Sequence, residues 1–498
     1  MTYQAHPSER IGHDTDKAAF LRVLADQLKP DSLLSDPEDV CPYECDGLSA
    51  YRTLPWIVAL PETLEQTQAV LRLCHQHGVP VVARGAGTGL SGGALPIDNG
   101  VLLSLAKFDR ILHLDPINRT ARVQPGVCNA AVSEAARPFG LYYAPDPSSQ
   151  IACTIGGNIA ENAGGVHCLK YGLTVHNLIG LKLLTVEGEL IELGSGGLDG
   201  PGYDLLALMT GSEGLLGVIV EATLKLLPLA ATAKTLLAAF GTVEQAGAAV
   251  AEIIGAGLVP AGLEMMDNLI IRATEDFIHA GYPVDAAAII LCEMDGMAEQ
   301  VESELTQAKD ILMRMGATEV RQALTETERK KFWAGRKAAF PAVGRISPDY
   351  YCMDGTIPRH RLAEVLQRIA ELAATYSVGV ANVFHAGDGN LHPLILYDAN
   401  QSGDLERAEA FGSQILALCV EVGGTVTGEH GVGMEKINQM CLQFSVAELS
   451  QFHAVKASFD PKGLLNPGKA VPTLHRCAEF GAMHVHQGAL PHPELERF

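Results

Sequence analysis

The segment Arg84-Gly-Ala-Gly-Thr-Gly-Leu-Ser-Gly-Gly93 continues directly from the strand-like stretch VPVVARG, residues 79–85. Residues 87–92 match the spacing G-x-G-x-x-G, but Pro96 and the strand-like stretch GVLLSL at 100–105 come next. A Rossmann turn instead leads into a helix whose N-terminus faces the pyrophosphate, so the pattern argues against that fold. Glycines at this density still leave backbone N–H groups uncovered, which predicts an anion-binding loop.

Three further polar or glycine-rich segments follow along the chain. Each alone would indicate an ordinary turn, but four in sequence order predict one domain that holds an extended nucleotide cofactor. Short strands alternate with helices from Trp56 to about Pro228, which agrees with a single α+β domain in this region. The additional segments are Pro145–Ser149, Thr154–Asn158 with Asn162–Gly165, and Gly211–Gly217.

Bulk composition limits the classes of function. The 498 residues exceed the size of a single core, and 47% of them are apolar, which predicts two or three folded domains. A formal net charge of −22 argues against nucleic acid or an anionic membrane surface as a partner. The N-terminus has no apolar signal region, and no apolar run is long enough to span a bilayer. We therefore expect a cytoplasmic protein.

Changes in sequence texture predict the domain boundaries. An N-terminal segment covers 1–54, and the nucleotide-binding domain covers 55–228. From 229 to 445 the pattern of strands and helices follows a β-α-β-β-α-β order, with helices predicted at Gln300–Met315 and His360–Tyr376. The remainder, 446–498, is predicted to form one helix and a tail that pack on the nucleotide-binding domain.

A second constellation lies in the 229–445 region. His385 and His392 flank a glycine-rich turn, and Glu429 follows on another glycine-flanked turn beside His430. Two imidazoles and one carboxylate suit a divalent transition metal with open coordination positions, as in catalytic sites. A hydrogen-bonded histidine pair in a polar turn is the simpler alternative. The motif is not the H-E-x-x-H helix of zinc proteases, so a flavin-free metal hydrolase is disfavoured.

Together these segments carry a resemblance to a known family. Arg84–Gly93, Gly156–Gly165 and Gly211–Gly217 resemble the FAD-binding domain of the vanillyl-alcohol oxidase/p-cresol methylhydroxylase flavoproteins, and Asn466–Lys469 resembles the C-terminal return of that family to the flavin. With the histidine motifs included, the chain is similar to the D-2-hydroxyacid dehydrogenase branch. The resemblance implies an α+β fold in which a ferredoxin-like substrate or cap domain accompanies the FAD-binding domain.

The resemblance also implies FAD and a divalent metal as cofactors, with zinc as the first expectation and manganese or iron as alternatives. His385, His392 and Glu429 are the implied metal ligands. Covalent attachment of FAD through His167 or Cys168 is left open by the sequence. The residues implied in FAD binding are Arg84, Gly85, Ala86, Gly87, Thr88, Gly89, Ser91, Gly92, Pro145, Asp146, Ser148, Thr154, Gly156, Gly157, Asn158, Asn162, Gly164, Gly165, Tyr171, Gly172, Glu213, Gly217, Ile219 and Asn466.

The predicted reaction is oxidation of a small 2-hydroxyacid, glycolate to glyoxylate and also D-lactate to pyruvate. Histidine titrates in the useful range, so His430 is the expected base. Arg336 matches a substrate-binding arginine of the relatives and would grip the carboxylate. Relatives that act on D-2-hydroxyglutarate carry polar residues where this chain has Phe340, Cys352 and Leu394. A longer diacid would leave its second carboxylate unsatisfied there, which favours short substrates.

Relatives of this type work with a second FAD-fold subunit and an iron–sulfur subunit, so the same partners are expected here. The cysteines form no ferredoxin-type run, which predicts that this chain carries no cluster of its own. Membrane contact is expected only at the periphery, on the inner face, or through partners. The alternatives are a D-lactate dehydrogenase that acts alone and a noncatalytic FAD-binding subunit.

Overall fold

The computed structural model describes residues 16–195, 200 and 202–473. The histidine-rich end of the predicted 446–498 segment therefore lies outside the described residues, as does the start of the 1–54 segment. Among the described residues, every helix is too short or too polar to cross a lipid bilayer.

A small sheet presents the first glycine segment. Strands Ile57–Ala59, Val101–Ser104 and Val81–Arg84 are parallel, and Leu33–Leu34 pairs antiparallel at the edge. Helix Leu64–His77 connects two of them; its N-cap, Thr63, accepts a hydrogen bond from the backbone N–H of Gln66. The predicted strands at 57–61 and 79–85 and the helix starting near Thr63 are confirmed. Because the strand ends at Arg84, the glycine segment emerges at the carboxyl edge of this sheet.

A five-stranded antiparallel sheet completes the predicted nucleotide-binding domain. Helix Ile155–Glu161 packs against its central strand, Val218–Lys225, and begins at Thr154, whose side chain accepts a hydrogen bond from Gly157 N. This helix brings the second glycine segment next to the first. In spatial order the strands are Ile111–Asp115, Thr120–Val123, Val218–Lys225, Leu178–Leu184 and Leu190–Gly194, while Leu141–Tyr142 pairs separately with Leu227–Pro228.

The second domain is built on one eight-stranded antiparallel sheet. Its first part has the β-α-β-β-α-β order and the 4-1-3-2 strand arrangement of a ferredoxin-like fold, with the helix Asn268–Ile278 inserted. In spatial order the strands are Ala317–Gln322, Thr232–Phe240, Ala288–Gly296, Gly262–Asp267, Gly379–His385, Asn390–Tyr397 and Asp349–Cys352, with Gly355–Thr356 paired to Asn390–Tyr397.

Strand alternation divides this sheet into two different faces. Leu263, Met265 and Phe384 pack into an apolar core beneath helices Val243–Gly255 and Leu362–Tyr376. Because successive side chains of a strand point to opposite faces, the intervening Glu264, Glu293, His385 and His392 share the other face. These polar residues, two of them predicted metal ligands, therefore lie on the side of the sheet away from those helices, among apolar residues of the same face such as Leu291 and Leu394.

The C-terminal part returns to the predicted nucleotide-binding domain. After helix Val446–Phe459, Leu464 accepts a hydrogen bond from Val81 N, and Asn466 N donates to Val81 O. The remaining α-helices are Lys17–Ala25, Pro37–Val40, Asn129–Ala136, Cys168–Tyr171, Leu205–Met209, Ala298–Arg314, Glu326–Lys337, Ala339–Ala342, Asp404–Glu421 and Met440–Gln443, and the 3-10 turns are Pro30–Ser32, Cys41–Tyr43, Arg137–Phe139, Thr174–Asn177, Val343–Arg345 and Arg359–Arg361.

Candidate functional site

A cavity of about 380 Å³ lies where the predicted glycine segments meet the polar face of the large sheet. It is bordered at one end by His392, Glu429 and His430, so the predicted cofactor and metal regions share one space. The predicted FAD-binding residues that line it are Arg84, Gly85, Ala86, Gly87, Thr88, Gly89, Ser148, Thr154, Gly156, Gly157, Asn158, Glu213, Gly217 and Ile219.

The lining fits a flavin dinucleotide. A Cβ on Gly85 would lie 2.3 Å from Thr154 Oγ1, and one on Gly156 would lie 2.6 Å from Pro125 Cβ, so only glycine permits this close approach. The buried Asn158 Nδ2 lines the cavity and has no hydrogen-bond partner among the described residues. An unpaired buried donor is costly, and a polar atom of the cofactor would satisfy it.

Ten predicted FAD-binding residues do not line the cavity that the described residues form. Some of them hold the surrounding loops: Ser91 Oγ donates to His430 O over 2.9 Å, and Asn466 Nδ2 donates to the carbonyls of Gly93 and Glu213. Their assignment to FAD stays a prediction. The ten residues are Ser91, Gly92, Pro145, Asp146, Asn162, Gly164, Gly165, Tyr171, Gly172 and Asn466.

Two of these ten residues make other contacts, and one of the two joins the domains. Asp146 Oδ2 lies 2.9 Å from His167 Nδ1, and Tyr171 donates to Asp295 Oδ2 over 2.6 Å. Asp295 belongs to the large sheet, so Tyr171 links it to the predicted nucleotide-binding domain. His167 and Cys168 do not line the cavity either, and the geometry thus offers no support for a covalent link to FAD.

Sequence reasoning missed several lining residues. Pro147 and Ser149 lie inside the predicted 145–149 segment, so its polar composition was the available signal. Glu161 carried no such signal, because it is a helix-terminal carboxylate. Its buried Oε2 has no hydrogen-bond partner in the described part of the chain. Burial, and then the neighbouring Glu213, raises the pKa of Glu161 well above its usual value.

The three predicted metal ligands converge. His385 Nε2 lies 3.2 Å and His392 Nε2 lies 3.0 Å from Glu429 Oε1, and the two imidazole rings are nearly perpendicular. The three potential ligand atoms all lie within 4.8 Å of one another. Burial opposes ionisation of Glu429, but the two histidines overcome it and hold the pKa of this carboxyl well below its ordinary value. A divalent ion would find two ring nitrogens and a carboxylate facing one point.

Behind His385 stands a buried acid–base pair. His385 Nδ1 lies 2.9 Å from Glu264 Oε1, and Arg336 Nε donates to Glu264 Oε2 over 2.7 Å. Burial acts against ionisation of Glu264, yet His385 and Arg336 keep its pKa below the ordinary value. A carboxylate on the second ring nitrogen fixes the orientation of a metal-binding histidine. Neither Glu264 nor Arg336 lines the cavity.

His430 lines the cavity beside the predicted metal ligands His392 and Glu429. Its ring stacks on that of His392, with centroids 4.9 Å apart and planes 13° apart. The buried Nδ1 has no hydrogen-bond partner among the described residues. Burial lowers the pKa of His430 to about 4, below the range near neutrality on which its prediction as the base relied, so the ring is neutral near pH 7.

Comparison with known proteins agrees with this arrangement. A model of an FAD-binding domain matches residues 55–194, and a model of the C-terminal domain of FAD-linked oxidases matches residues 229–470. The chain belongs to the FAD-linked oxidases. This FAD-linked oxidase is 64% identical to glycolate oxidase subunit GlcD of Escherichia coli, with 97% of each chain covered. It is 34% identical to a D-lactate dehydrogenase of Anaerostipes hadrus, with 85% of this chain and 91% of that one covered.

Its architecture is also that of p-cresol methylhydroxylase. The solved structure of that protein with bound substrate superimposes with a TM-score of 0.78 at 16% identity, covering 92% of this chain and 97% of the other. The predicted fold class, the family and FAD as cofactor are therefore confirmed, and the protein is an FAD-dependent oxidoreductase. The assignment of individual residues to FAD binding, metal binding and catalysis stays a prediction.

Several apolar residues of this FAD-linked oxidase lie near the predicted metal ligands. Phe340 lines the cavity with its ring centroid 6.2 Å from that of His392, while Cys352 and Leu394 are buried in the adjoining apolar cluster. Cys352, His392 and His430 also lie close enough to share an ion. Burial raises the pKa of the Cys352 thiol well above its usual value, which favours the set that contains Glu429.

Proposed function

We propose that this oxidoreductase converts short 2-hydroxyacids to 2-oxoacids, with glycolate as the first substrate and D-lactate as the second. The observation that carries the proposal is the convergence of His385, His392 and Glu429 at one end of the FAD cavity. The similar proteins named glycolate oxidase subunit and D-lactate dehydrogenase support the same substrate class.

The ligand set calls for a divalent transition metal, with zinc as the first expectation. When bound, the ion would act as a Lewis acid that lowers the pKa of the substrate hydroxyl, and FAD would accept the α-hydrogen as hydride. His385 and His392 would hold the ion through their Nε2 atoms. Glu264 would keep the His385 ring in place.

His430 is the proposed base. Its neutral ring borders both the metal ligands and the cavity, and a free Nδ1 can take the hydroxyl proton of the substrate. Arg336 is buried and does not line the cavity, so its proposed role is to hold Glu264 behind His385; its Nη2 has no hydrogen-bond partner among the described residues. Lys337 lines the cavity beside Phe340 and adds positive charge there.

The apolar residues near the predicted metal ligands argue for a short substrate. Phe340 and its ring neighbour Tyr350 occupy the space beside His392, and Cys352 and Leu394 lie in the same apolar cluster. A carboxylate placed against these apolar residues and away from Lys337 would lose its hydration without gaining hydrogen bonds. Glycolate and lactate have no second carboxylate, so neither incurs this cost.

The electrons are proposed to leave through partner subunits, a second FAD-fold subunit and an iron–sulfur subunit. The name of the Escherichia coli relative, which is given as a subunit, supports this arrangement. Any membrane contact would then be made through these partners. A D-lactate dehydrogenase that acts alone is the second candidate, favoured by the similarity to the Anaerostipes hadrus protein.

An anaerobic titration of the purified chain tests the proposal. We expect glycolate and D-lactate to bleach the oxidised flavin band, a chelator to prevent bleaching, and added Zn²⁺ or Mn²⁺ to restore it. The substrate assignment fails if D-2-hydroxyglutarate gives the highest kcat/KM, and the metal assignment fails if exhaustive chelation leaves bleaching unchanged. Steady turnover of D-lactate with a quinone analogue in the absence of other subunits would favour the second candidate.

A further inference from the structure

We propose that Asp354, held by Lys436, is a positioning residue that fixes the backbone of the loop supplying Glu429 and His430. Neither residue lines the cavity, and neither belongs to the predicted catalytic or metal-binding set. The proposal rests on the proposed function only for the statement that Glu429 binds a metal. The loop geometry itself can be tested without any ion.

The Asp354 carboxylate accepts hydrogen bonds from the backbone N–H groups of three consecutive loop residues. Gly428 N and His430 N donate to Oδ2 over 3.0 and 2.9 Å, and Glu429 N donates to Oδ1 over 3.1 Å. The hydroxyl of Thr427 donates to the same carboxylate over 2.6 Å. Asp354 is fully buried between strands Asp349–Cys352 and Gly355–Thr356, so the acceptor is anchored in the large sheet.

Lys436 closes the loop from its other end. Its fully buried ammonium group donates to Asp354 Oδ2 over 3.2 Å and to Gly431 O over 3.0 Å. The charge pair thereby joins the end of the sheet to the residue that follows His430. Burial acts against ionisation of Asp354, but Lys436 and His430 outweigh it and lower the pKa of this carboxyl.

Other hydrogen bonds hold the loop beyond Glu429: Ser91 Oγ donates to His430 O, and Glu213 accepts from Val432 N and Gly433 N. The N–H groups of residues 428–430, however, are held by Asp354. Gly431 and Gly433 have φ values of +80° and +52°, in the region that other residues rarely adopt. At Gly428 even a Cβ would lie 2.4 Å from Asn390 Oδ1. Glycine loses more conformational freedom on folding than other residues, so such a loop needs external hydrogen bonds to keep one conformation. Asp354 supplies them at the residues whose side chains face the cavity.

The same carboxylate also lies near a second metal ligand. Its Oδ1 is 4.0 Å from His392 Nδ1, the ring nitrogen that points away from Glu429 and that contacts the backbone oxygen of the neighbouring Met353 at 3.4 Å. Asp354 therefore contacts the loop of Glu429 and His430 and faces the back of His392. Outer partners of this kind typically change metal affinity by about 10–100-fold when they are removed.

The test compares Asp354→Asn with Asp267→Asn. The amide keeps the shape of the side chain but places a donor where several donors converge, so the loop hydrogen bonds cannot all persist. Asp267 lies on the same sheet and likewise accepts backbone N–H bonds, from Ile270 and Asn382, without contacting the loop. Both variants are measured as purified, FAD-loaded protein.

In metal-free protein we expect hydrogen exchange of residues 428–430 to accelerate at least 10-fold in Asp354→Asn and to stay unchanged in Asp267→Asn. Affinity for Zn²⁺, measured by calorimetry, should fall about 10–100-fold in Asp354→Asn alone, with FAD content retained. If Asp354→Asn does not fold, Lys436→Met replaces it, with the same expected acceleration.

Unchanged exchange in the loop would overturn the proposal, whatever the metal does. Faster exchange with undiminished Zn²⁺ affinity would also overturn it, because the loop would then not position the ligand. If wild-type protein binds neither Zn²⁺ nor Mn²⁺, the metal assignment fails, while the exchange result still decides whether Asp354 holds the loop.

Discussion

Arg336 and Glu264 form an ion pair with a 2.7 Å separation in which each side chain is only 1% exposed. Glu264 in turn holds His385, so the arginine expected to grip the substrate is tied to a predicted metal ligand. Any change at Arg336 should therefore affect the metal site. The buried Nη2 atom has no hydrogen-bond partner among the described residues.

Replacing Arg336 with Met should lower the free energy of unfolding by about 3–5 kcal/mol, because a buried Glu264 carboxylate loses its partner. Metal affinity should fall with it, by about 10–100-fold, as His385 loses its orientation. Urea unfolding and Zn²⁺ calorimetry measure the two effects. Arg329→Met is the matched control: it breaks the Arg329–Glu293 pair, which makes no hydrogen bond to His385 or Glu264, and should leave Zn²⁺ affinity unchanged.

Replacing His385 or His392 with Ala should remove the metal and the turnover but keep FAD. Each histidine supplies one of the three converging ligand atoms, while the glycine segments that line the cofactor cavity lie elsewhere in the chain. Metal content by atomic spectrometry and the flavin absorbance of the same sample measure both quantities. The exposed His360→Ala serves as control, and loss of flavin from either test variant would contradict the assignment.

The parts of the site that could be predicted are those in which the types of neighbouring residues in the sequence indicate the role. A glycine segment that approaches a cofactor with its backbone is visible in the sequence, as is a set of metal-ligating residue types. Glu264 was invisible, because it lies 121 residues from His385 and meets it only when two strands pair. Asp354 was likewise not predictable, because it contacts residues 428–430 only in the folded structure.

The same reasoning explains the residues that the sequence placed at the cofactor and the structure places elsewhere. Asp146 belongs to the predicted 145–149 segment, but its carboxylate faces His167 rather than the cavity. Which residue of a polar turn reaches a ligand depends on the turn geometry, and composition does not encode that. The order of helices and strands was easier to predict from the sequence, since a long periodic segment such as Ala298–Arg314 clearly indicates a helix.

Replacing His430 with Ala should keep the metal while lowering kcat by about 10²–10⁴-fold, the effect expected when a general base is lost. Because burial lowers the pKa of His430 to about 4, this base stays unprotonated from pH 8 down to about pH 5. Its contribution to the rate should therefore be flat over that range and fall only at lower pH. Anaerobic stopped-flow reduction checks this, and an undiminished kcat in the variant would exclude His430 as the base.

Replacing Phe340 with Ala should shift the substrate preference towards longer 2-hydroxyacids. The ring fills the space beside His392, and one methylene of pocket space is typically worth about 10–200-fold in discrimination. We expect the ratio of kcat/KM for D-2-hydroxybutyrate over glycolate to rise at least 10-fold. Phe452→Ala, which alters a ring pair in the C-terminal helix, is the control. An unchanged ratio would mean that Phe340 does not limit substrate length.

His167 should make stability depend on alkaline pH. Burial lowers its pKa, but Asp146 and Glu293 outweigh that effect and raise it to about 10, above the ordinary 6.5. The folded state therefore binds a proton that the unfolded state has released, and this stabilisation is complete below pH 6.5 and disappears as pH rises through 10. Its side chain is 29% exposed, so solvent screening reduces the effect to roughly 1–2 kcal/mol.

Urea unfolding of wild type and His167→Gln at pH 6.5, 8 and 10 measures this contribution. The difference between the two proteins should be largest at pH 6.5 and smallest at pH 10, because only wild type loses a bound proton over that interval. The His453 ring contacts Pro472 O instead of a carboxylate. For His453→Gln, the difference in unfolding free energy from wild type should therefore stay the same between pH 6.5 and pH 10. A difference that grows with pH would mean that His167 is neutral in the folded protein and links the domains by a hydrogen bond alone.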